Sequence, residues 1–271
     1  MPIRFASRPA RGSDGQAWKP GLVVYLTAGD PDLKTTRAIA LAAIDAGADV
    51  IELGVPFSDP LADGPVIQRA SERAVARGVR LEDVLALAAE IRSERSEAGL
   101  VIFSYFNPVL HYGLERFCSE AKSAGVDGVL ITDMIVEEAD EYLEHIHRHH
   151  LAPIFLAAPT SPDDRLKRIA AVTQGFVYAI SRVGITGAQQ KLASDGEQLV
   201  ARLRRFTDLP IAVGFGVSTA EHVNALSEFA DAAVIGSAIV ALIEQSTPEE
   251  APNSIARFIK GLRPTPAALT R

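Results

Sequence analysis

The chain has 271 residues, 48% of them apolar, enough for one full-sized core and close to the size of a single eight-fold α/β barrel. Its net charge of −7 comes from 34 acidic and 27 basic residues scattered along the chain, which argues against a nucleic-acid surface built on a basic stripe. Cys118 is the one cysteine, so neither an intrachain disulfide nor a cysteine-based zinc site can form, and a reducing cytosol fits.

In chain order, residues 1–19 read as a polar N-terminal segment. Arg4, Arg8 and Arg11 lead into Gly12-Ser13-Asp14-Gly15 rather than into the apolar stretch of a secretion signal. Runs rich in Val, Ile and Leu then alternate with stretches of helical period. Strands are expected at 22–27, 49–53, 100–104, 127–132, 152–157, 175–180, 210–214 and 231–236. Helices are expected at 33–46, 64–77 with 81–97, 113–124, 136–149, 162–173, 195–206, 218–229 and 238–245, with a last one near 253–262. Gly47, Gly99 and Gly125 read as helix stops, and Ser161-Pro162 and Ser218 as starts. The late apolar run at 232–243 is broken by Gly236 and Ser237 and is too short to span a bilayer of ~30 Å, so the expectation is a cytoplasmic protein.

Eight βα units with right-handed crossovers can close into a barrel or spread as an open sheet. The turn after the first strand is Thr27-Ala28-Gly29-Asp30-Pro31, with no GxGxxG, which disfavours an open dinucleotide-binding sheet. The reading is one (β/α)8 TIM barrel domain over 1–271, with 263–271 as a loose tail.

The strongest local signal is Ile51-Glu52-Leu53-Gly54-Val55-Pro56-Phe57-Ser58-Asp59-Pro60-Leu61-Ala62-Asp63-Gly64. With alternation along a strand, Ile51 and Leu53 face the outer helices while Val50 and Glu52 face the interior. Glu52 then lies at the C-terminal end, where barrel enzymes keep their chemistry, and burial should raise its pKa. Asp63, at the far end of the loop, can fold back over the same mouth. The competing readings are a structural hydrogen bond or cation for Glu52 and a helix N-cap for Asp63.

Gly184 with Gly187, Gly214 with Gly216, and Gly236 with Ser237 follow the sixth, seventh and eighth strands and would present bare N–H groups at the mouth. Gly236-Ser237 runs straight into a helix whose N-terminus attracts an anion, and no Lys or Arg occurs between 211 and 239, so neutral dipoles must hold it. Tyr25, Phe57, Tyr105, Tyr178 and Phe215 fall at or after strand ends, where they can wall a flat apolar pocket or simply plug the barrel top. His145 and His149 are one helical turn apart near a helix end; without a third ligand they read as solvated, and no metal site is expected. Residues 181–194 are long for a βα loop and suit a lid.

The segment from Ile51 to Gly64 resembles the signature of the tryptophan synthase alpha family. Leu26-Thr27-Ala28-Gly29-Asp30-Pro31, the Phe155, Pro159 and Thr160 stretch, the Tyr178 to Gly187 stretch, Gly214-Phe215-Gly216 and Ile235-Gly236-Ser237-Ala238 fall in the family's order, so the resemblance covers roughly 20–245. One departure is Asp133-Met134-Ile135, where the family usually has Asp-Leu-Pro. The resemblance implies retro-aldol cleavage of indole-3-glycerol phosphate to indole and glyceraldehyde 3-phosphate. It implies Glu52 as proton donor and acceptor, Asp63 as partner of the indole N–H, and Tyr25, Tyr178, Thr186, Gly187, Phe215, Gly216, Gly236 and Ser237 around the substrate, with Thr186 latching to Asp63. It also implies a beta subunit in an alpha2beta2 heterotetramer, docked through the 55–62 loop and the Phe106-Asn107-Pro108 loop. Pyridoxal phosphate is expected only in that partner, with no cofactor in this chain. The alternatives are a stand-alone indole-3-glycerol phosphate lyase that releases free indole, and a non-catalytic barrel that senses a phosphate ligand, for which loss of one carboxylate would be expected.

Overall fold

The computed structural model describes Ile3 and residues 20–180, 189–214 and 216–263, with the backbone alone over 189–194. The elements alternate as strand and helix: β1 Gly21–Thr27, α1 Leu33–Asp45, β2 Val50–Gly54, α2 Pro65–Ala76, α3 Leu81–Glu94, β3 Gly99–Ser104, α4 Phe106–Tyr112, α5 Leu114–Ser123 and β4 Gly128–Ile131. After a 3-10 turn at Val136–Glu138 come α6 Asp140–Arg148, β5 Ala152–Ile154, β6 Leu156–Ala157, α7 Asp163–Val172, β7 Val177–Ile180 and α8 Gln189–Leu203. β8 Ile211–Gly214, α9 Ala220–Ser227, β9 Ala232–Ile235, α10 Ser237–Glu244 and α11 Ala251–Leu262 complete the described chain.

The strands pair in parallel in the order β5-β4-β3-β2-β1-β9-β8-β7-β6. The two ends of that row are halves of one run interrupted at Phe155, so the chain itself closes the ring into a TIM barrel. The ladder bridges the break, because the Tyr178 N–H donates to the Phe155 carbonyl at 3.2 Å. Alternation sorts the side chains as expected: Val23, Val50, Val101, Leu130, Ile154, Phe176, Ala212, Ala232 and Val234 fill the barrel, whereas Ile51 and Leu53 join the sleeve beneath the helices. Ile3 packs on the inner cluster at the strands' N-terminal end, with its Cδ1 3.2 Å from where a Cβ on Gly128 would lie. The opposite, C-terminal end is left to polar and aromatic groups.

Local chemistry sets the boundaries. Asp32 caps α1 by accepting from the Thr35 N–H at 2.7 Å, and α1 and α5 are followed by Gly47 and Gly125, whose φ values of +109° and +79° suit glycine. Gly99, expected as a helix stop, instead opens β3. The expected helix at 136–149 is a 3-10 turn followed by α6, and the Phe106-Asn107-Pro108 loop is the first turn of α4. There Pro108 fills the third helical position, where an N–H has no intrahelical partner to lose. Residue 263 is not loose: the Arg263 guanidinium donates to the Pro20 carbonyl at 2.9 Å and to Asp49 at 3.0 Å. Residues 1–2, 4–19 and 264–271 lie outside the described residues. Among the described residues, no helix is long and apolar enough to cross a membrane.

Candidate active site

Glu52 is the middle residue of β2, two before its end at Gly54, in register between Tyr25 on β1 and Val101 on β3, and is wholly buried. Among the described residues neither of its carboxyl oxygens has a hydrogen-bond partner, which speaks against the structural-tie reading. An unpaired carboxylate in an apolar interior is costly, so burial pushes the Glu52 pKa up to about 8. The neighbouring Gly54 belongs to the same arrangement: a Cβ there would lie 2.2 Å from the Tyr25 hydroxyl. Only glycine lets that phenol lean across β2, and the Tyr25 ring stands edge-on to Phe103 at 5.0 Å.

Asp63 does not cap a helix. The N-cap of α2 is Gly64, without a side-chain cap bond, and Pro65 needs no N–H partner. The Asp63 carboxylate instead turns to the mouth, where the Tyr105 hydroxyl donates to Oδ2 at 3.0 Å. The same hydroxyl accepts from the Ala62 N–H at 2.9 Å, so one phenol fixes two successive residues of the loop. Helix α2 holds the loop from the other side. Gln68 donates to the Asp63 carbonyl at 2.9 Å, and the Ser71 hydroxyl both accepts from the Phe57 N–H at 2.8 Å and donates to its carbonyl at 2.9 Å. Burial raises the Asp63 pKa to about 6, and the Tyr105 hydrogen bond opposes the rise. Burial raises the Tyr178 pKa first, and the charges of Glu52, Tyr25 and Asp63 add to the rise, so all three lie within electrostatic reach of it.

Where the sequence leads to the expectation of an anion site, Gly236 is the N-cap of α10 and has no side chain to bond the helix's free N–H groups. Ser237 opens that helix and is exposed, as is Gly216, at φ +63° after β8. Tyr178 closes in over Gly214, where a Cβ would meet its ring and hydroxyl at 3.1 Å. Thr186, Gly184 and Gly187 on the expected lid, and Phe215, lie outside the described residues. The loop expected over 181–194 does not extend to 194, because α8 begins at Gln189 and takes in Gln190 and Lys191.

His145 and His149, read as solvated, share one carboxylate: each has a ring nitrogen 2.9 Å from a Glu115 oxygen. Among the described residues, no three His, Cys, Asp or Glu side chains form a metal-ligand group. A cavity of about 420 Å³ opens at the barrel's N-terminal end beside Ile3, Lys122, His147, His150 and Gln174. It is remote from both raised carboxyls, and the chemistry is assigned to the mouth for that reason. The sequence marked Tyr105 only as an aromatic at a strand end and did not reveal its bond to Asp63, 42 residues away. Gln68 and Ser71 carried no signal either, since polar residues on an amphipathic helix read as solvent-facing.

The family model described as tryptophan synthase alpha chain matches residues 13–265. The tryptophan synthase alpha chain of Solibacter usitatus is 51% identical over 228 residues, covering 84% of this chain and 85% of its own. That of Methylococcus capsulatus is 48% identical over 247 residues, covering 90% and 92%. A solved tryptophan synthase complex from Pyrococcus furiosus contains a chain that superposes with a TM-score of 0.82 at 39% identity, covering 91% of this chain and 99% of that one. The alpha subunit from Legionella pneumophila superposes with a TM-score of 0.82 at 33% identity, covering 90% and 91%. With both carboxylates held at the barrel mouth and matches of this extent, the chain belongs to the tryptophan synthase alpha chain family.

Proposed function

We propose that the chain, as a carbon–carbon lyase of this family, splits indole-3-glycerol phosphate into indole and glyceraldehyde 3-phosphate, with Glu52 moving the proton and Asp63 holding the ring nitrogen. The observation that carries this reading is the wholly buried Glu52 carboxyl, without a hydrogen-bond partner among the described residues, with a second carboxylate of different environment on the loop that follows the same strand. Indole cannot depart as a C3 carbanion. Protonated Glu52 delivers its proton to C3, and the ring nitrogen takes the positive charge, which ionised Asp63 stabilises through the N–H. The Glu52 carboxylate then takes the proton of the glycerol hydroxyl adjacent to the ring. That oxygen's electron pair forms the aldehyde, the C–C pair returns to the ring, and Glu52 ends as it began. Tyr25 and Tyr178 wall the indole, and Gly216, Gly236 and Ser237 face the phosphate, with Phe215, Thr186 and Gly187 completing the site. Indole release from indole-3-glycerol phosphate by the purified chain tests this directly: sustained production supports it, and none even with a beta subunit present contradicts it.

The partner in this reading is a pyridoxal-phosphate beta subunit in an alpha2beta2 assembly in the cytoplasm. Support comes from three exposed apolar residues on successive loops at the mouth: Leu61 after β2, Leu110 in α4 after β3, and Ile135 after β4.

Two variants probe the site. Tyr105→Phe leaves the Asp63 carboxylate and the Ala62 N–H short of a partner, so turnover should fall roughly tenfold. Because the lost bond lowers the Asp63 pKa, the acid limb of kcat/KM should move to higher pH; an unmoved limb would deny the bond a role. Gly236→Val adds a Cβ that meets only ordinary contacts, Tyr25 at 3.6 Å and Ile67 at 3.8 Å, while its methyls crowd the anion space. Calorimetric titration should show glycerol phosphate affinity falling far more than thermal stability, and equal affinity would move the phosphate elsewhere.

A further inference from the structure

Helix α2 touches both ends of this site. Gln68 and Ser71, on one face, hold the Asp63 loop, and Ile67 reaches the Gly236 turn that opens α10. Arg69 and Arg73, one turn apart on another face, hold neither. The Arg73 guanidinium makes a two-pronged contact with Asp30, Nε to Oδ1 at 2.8 Å and Nη2 to Oδ2 at 2.7 Å, and Asp30 is buried in the turn after β1. Its remaining nitrogen, Nη1, donates to Glu244 at 2.7 Å. Arg69 makes a second two-pronged contact with Glu244 at 2.9 and 2.7 Å.

Glu244 is the last residue of α10, where the helix dipole disfavours a carboxylate. Its position is explained by the two arginines, which hold it well below the usual carboxylate range, at about 2. The planar fork of arginine fixes direction as well as distance, which lysine cannot do. The rotation of α2, and with it the position of Asp63, is thereby referenced to β1 and to the helix whose N-terminus faces the phosphate.

We propose that Arg73 is a positioning residue that couples the two ends of the active site: by locking α2 to Asp30 and to Glu244 on α10, it makes phosphate occupancy at α10 and engagement of indole by Asp63 mutually reinforcing. The proposal rests on the reading of the α10 N-terminus as the phosphate site. Coupling of this kind is reciprocal and is measured as a ratio of affinities.

The test is a titration of indole into the purified chain with and without saturating glycerol phosphate, in wild type and in Arg73→Met. Glycerol phosphate should tighten indole binding at least ~5-fold in wild type, the low end of ordinary coupling, and less than about twofold in the variant. Glycerol phosphate affinity measured alone should stay within about threefold, which also reports that the variant is folded. In turnover the loss should fall on kcat rather than KM. Arg73→Lys, which keeps the charge without the fork, should show intermediate coupling and serves if Arg73→Met does not fold. Wild-type coupling retained in the variants, or absent from the wild type while glycerol phosphate binds, overturns this proposal alone. Failure of glycerol phosphate to bind the wild-type chain overturns the phosphate assignment and this proposal with it.

Discussion

Glu52→Gln should lower turnover at least ~10²-fold, the low end for a positioned acid or base, while leaving substrate binding measurable. The amide keeps the volume of the carboxyl, which has no hydrogen-bond partner to lose among the described residues, so the packing around Tyr25 and Val101 is undisturbed and the missing proton is the main change. Single-turnover cleavage and equilibrium binding on the same preparation separate the two effects. A variant that keeps more than a third of normal turnover would remove Glu52 from the proposed role.

The same substitution should make the protein more stable, and only at high pH. The unfolded Glu52 titrates near 4.5 and the folded one near 8. Below 4.5 both states hold the proton and wild type loses nothing. Between these values the unfolded chain releases a proton that the folded chain keeps, so wild-type stability falls as pH rises, until both states are ionised above about 8. At about 1.4 kcal/mol per pH unit, the loss has an upper bound of about 5 kcal/mol. Urea denaturation should therefore give wild type and Glu52→Gln similar stabilities at pH 5 and a variant more stable by up to that amount at pH 9. The same gap at both pH values would mean that Glu52 is not held protonated by burial.

The barrel was legible because its signals are local. Alternation placed Val50 and Glu52 inward and Ile51 and Leu53 outward, and valine-rich runs marked the strands to within a residue or two. The departures arise where tertiary contacts decide. The fifth run is interrupted at Phe155, whose outward ring lies 6.4 Å from that of Tyr142, and Pro108, which reads as loop, suits the opening turn of α4. In the site, Glu52 could be read from its place on a strand, but Asp63 fitted a cap equally well. Its actual partner comes from the end of β3, and no spacing in the sequence encodes that meeting. The clamp of Asp30, Arg73 and Glu244 was invisible for the same reason, since three charges 43 and 171 residues apart read singly as solvated.

Burial keeps Glu52 protonated near neutrality, while Asp63, whose burial-driven rise the Tyr105 hydrogen bond limits, is ionised there, and the pH dependence of kcat/KM for indole-3-glycerol phosphate cleavage tests this pairing most directly. A bell is expected, with an acid limb near 6 as Asp63 ionises and an alkaline limb near 8 as Glu52 loses its proton. A profile that is flat from pH 5 to 9, or that lacks the alkaline limb, would contradict it.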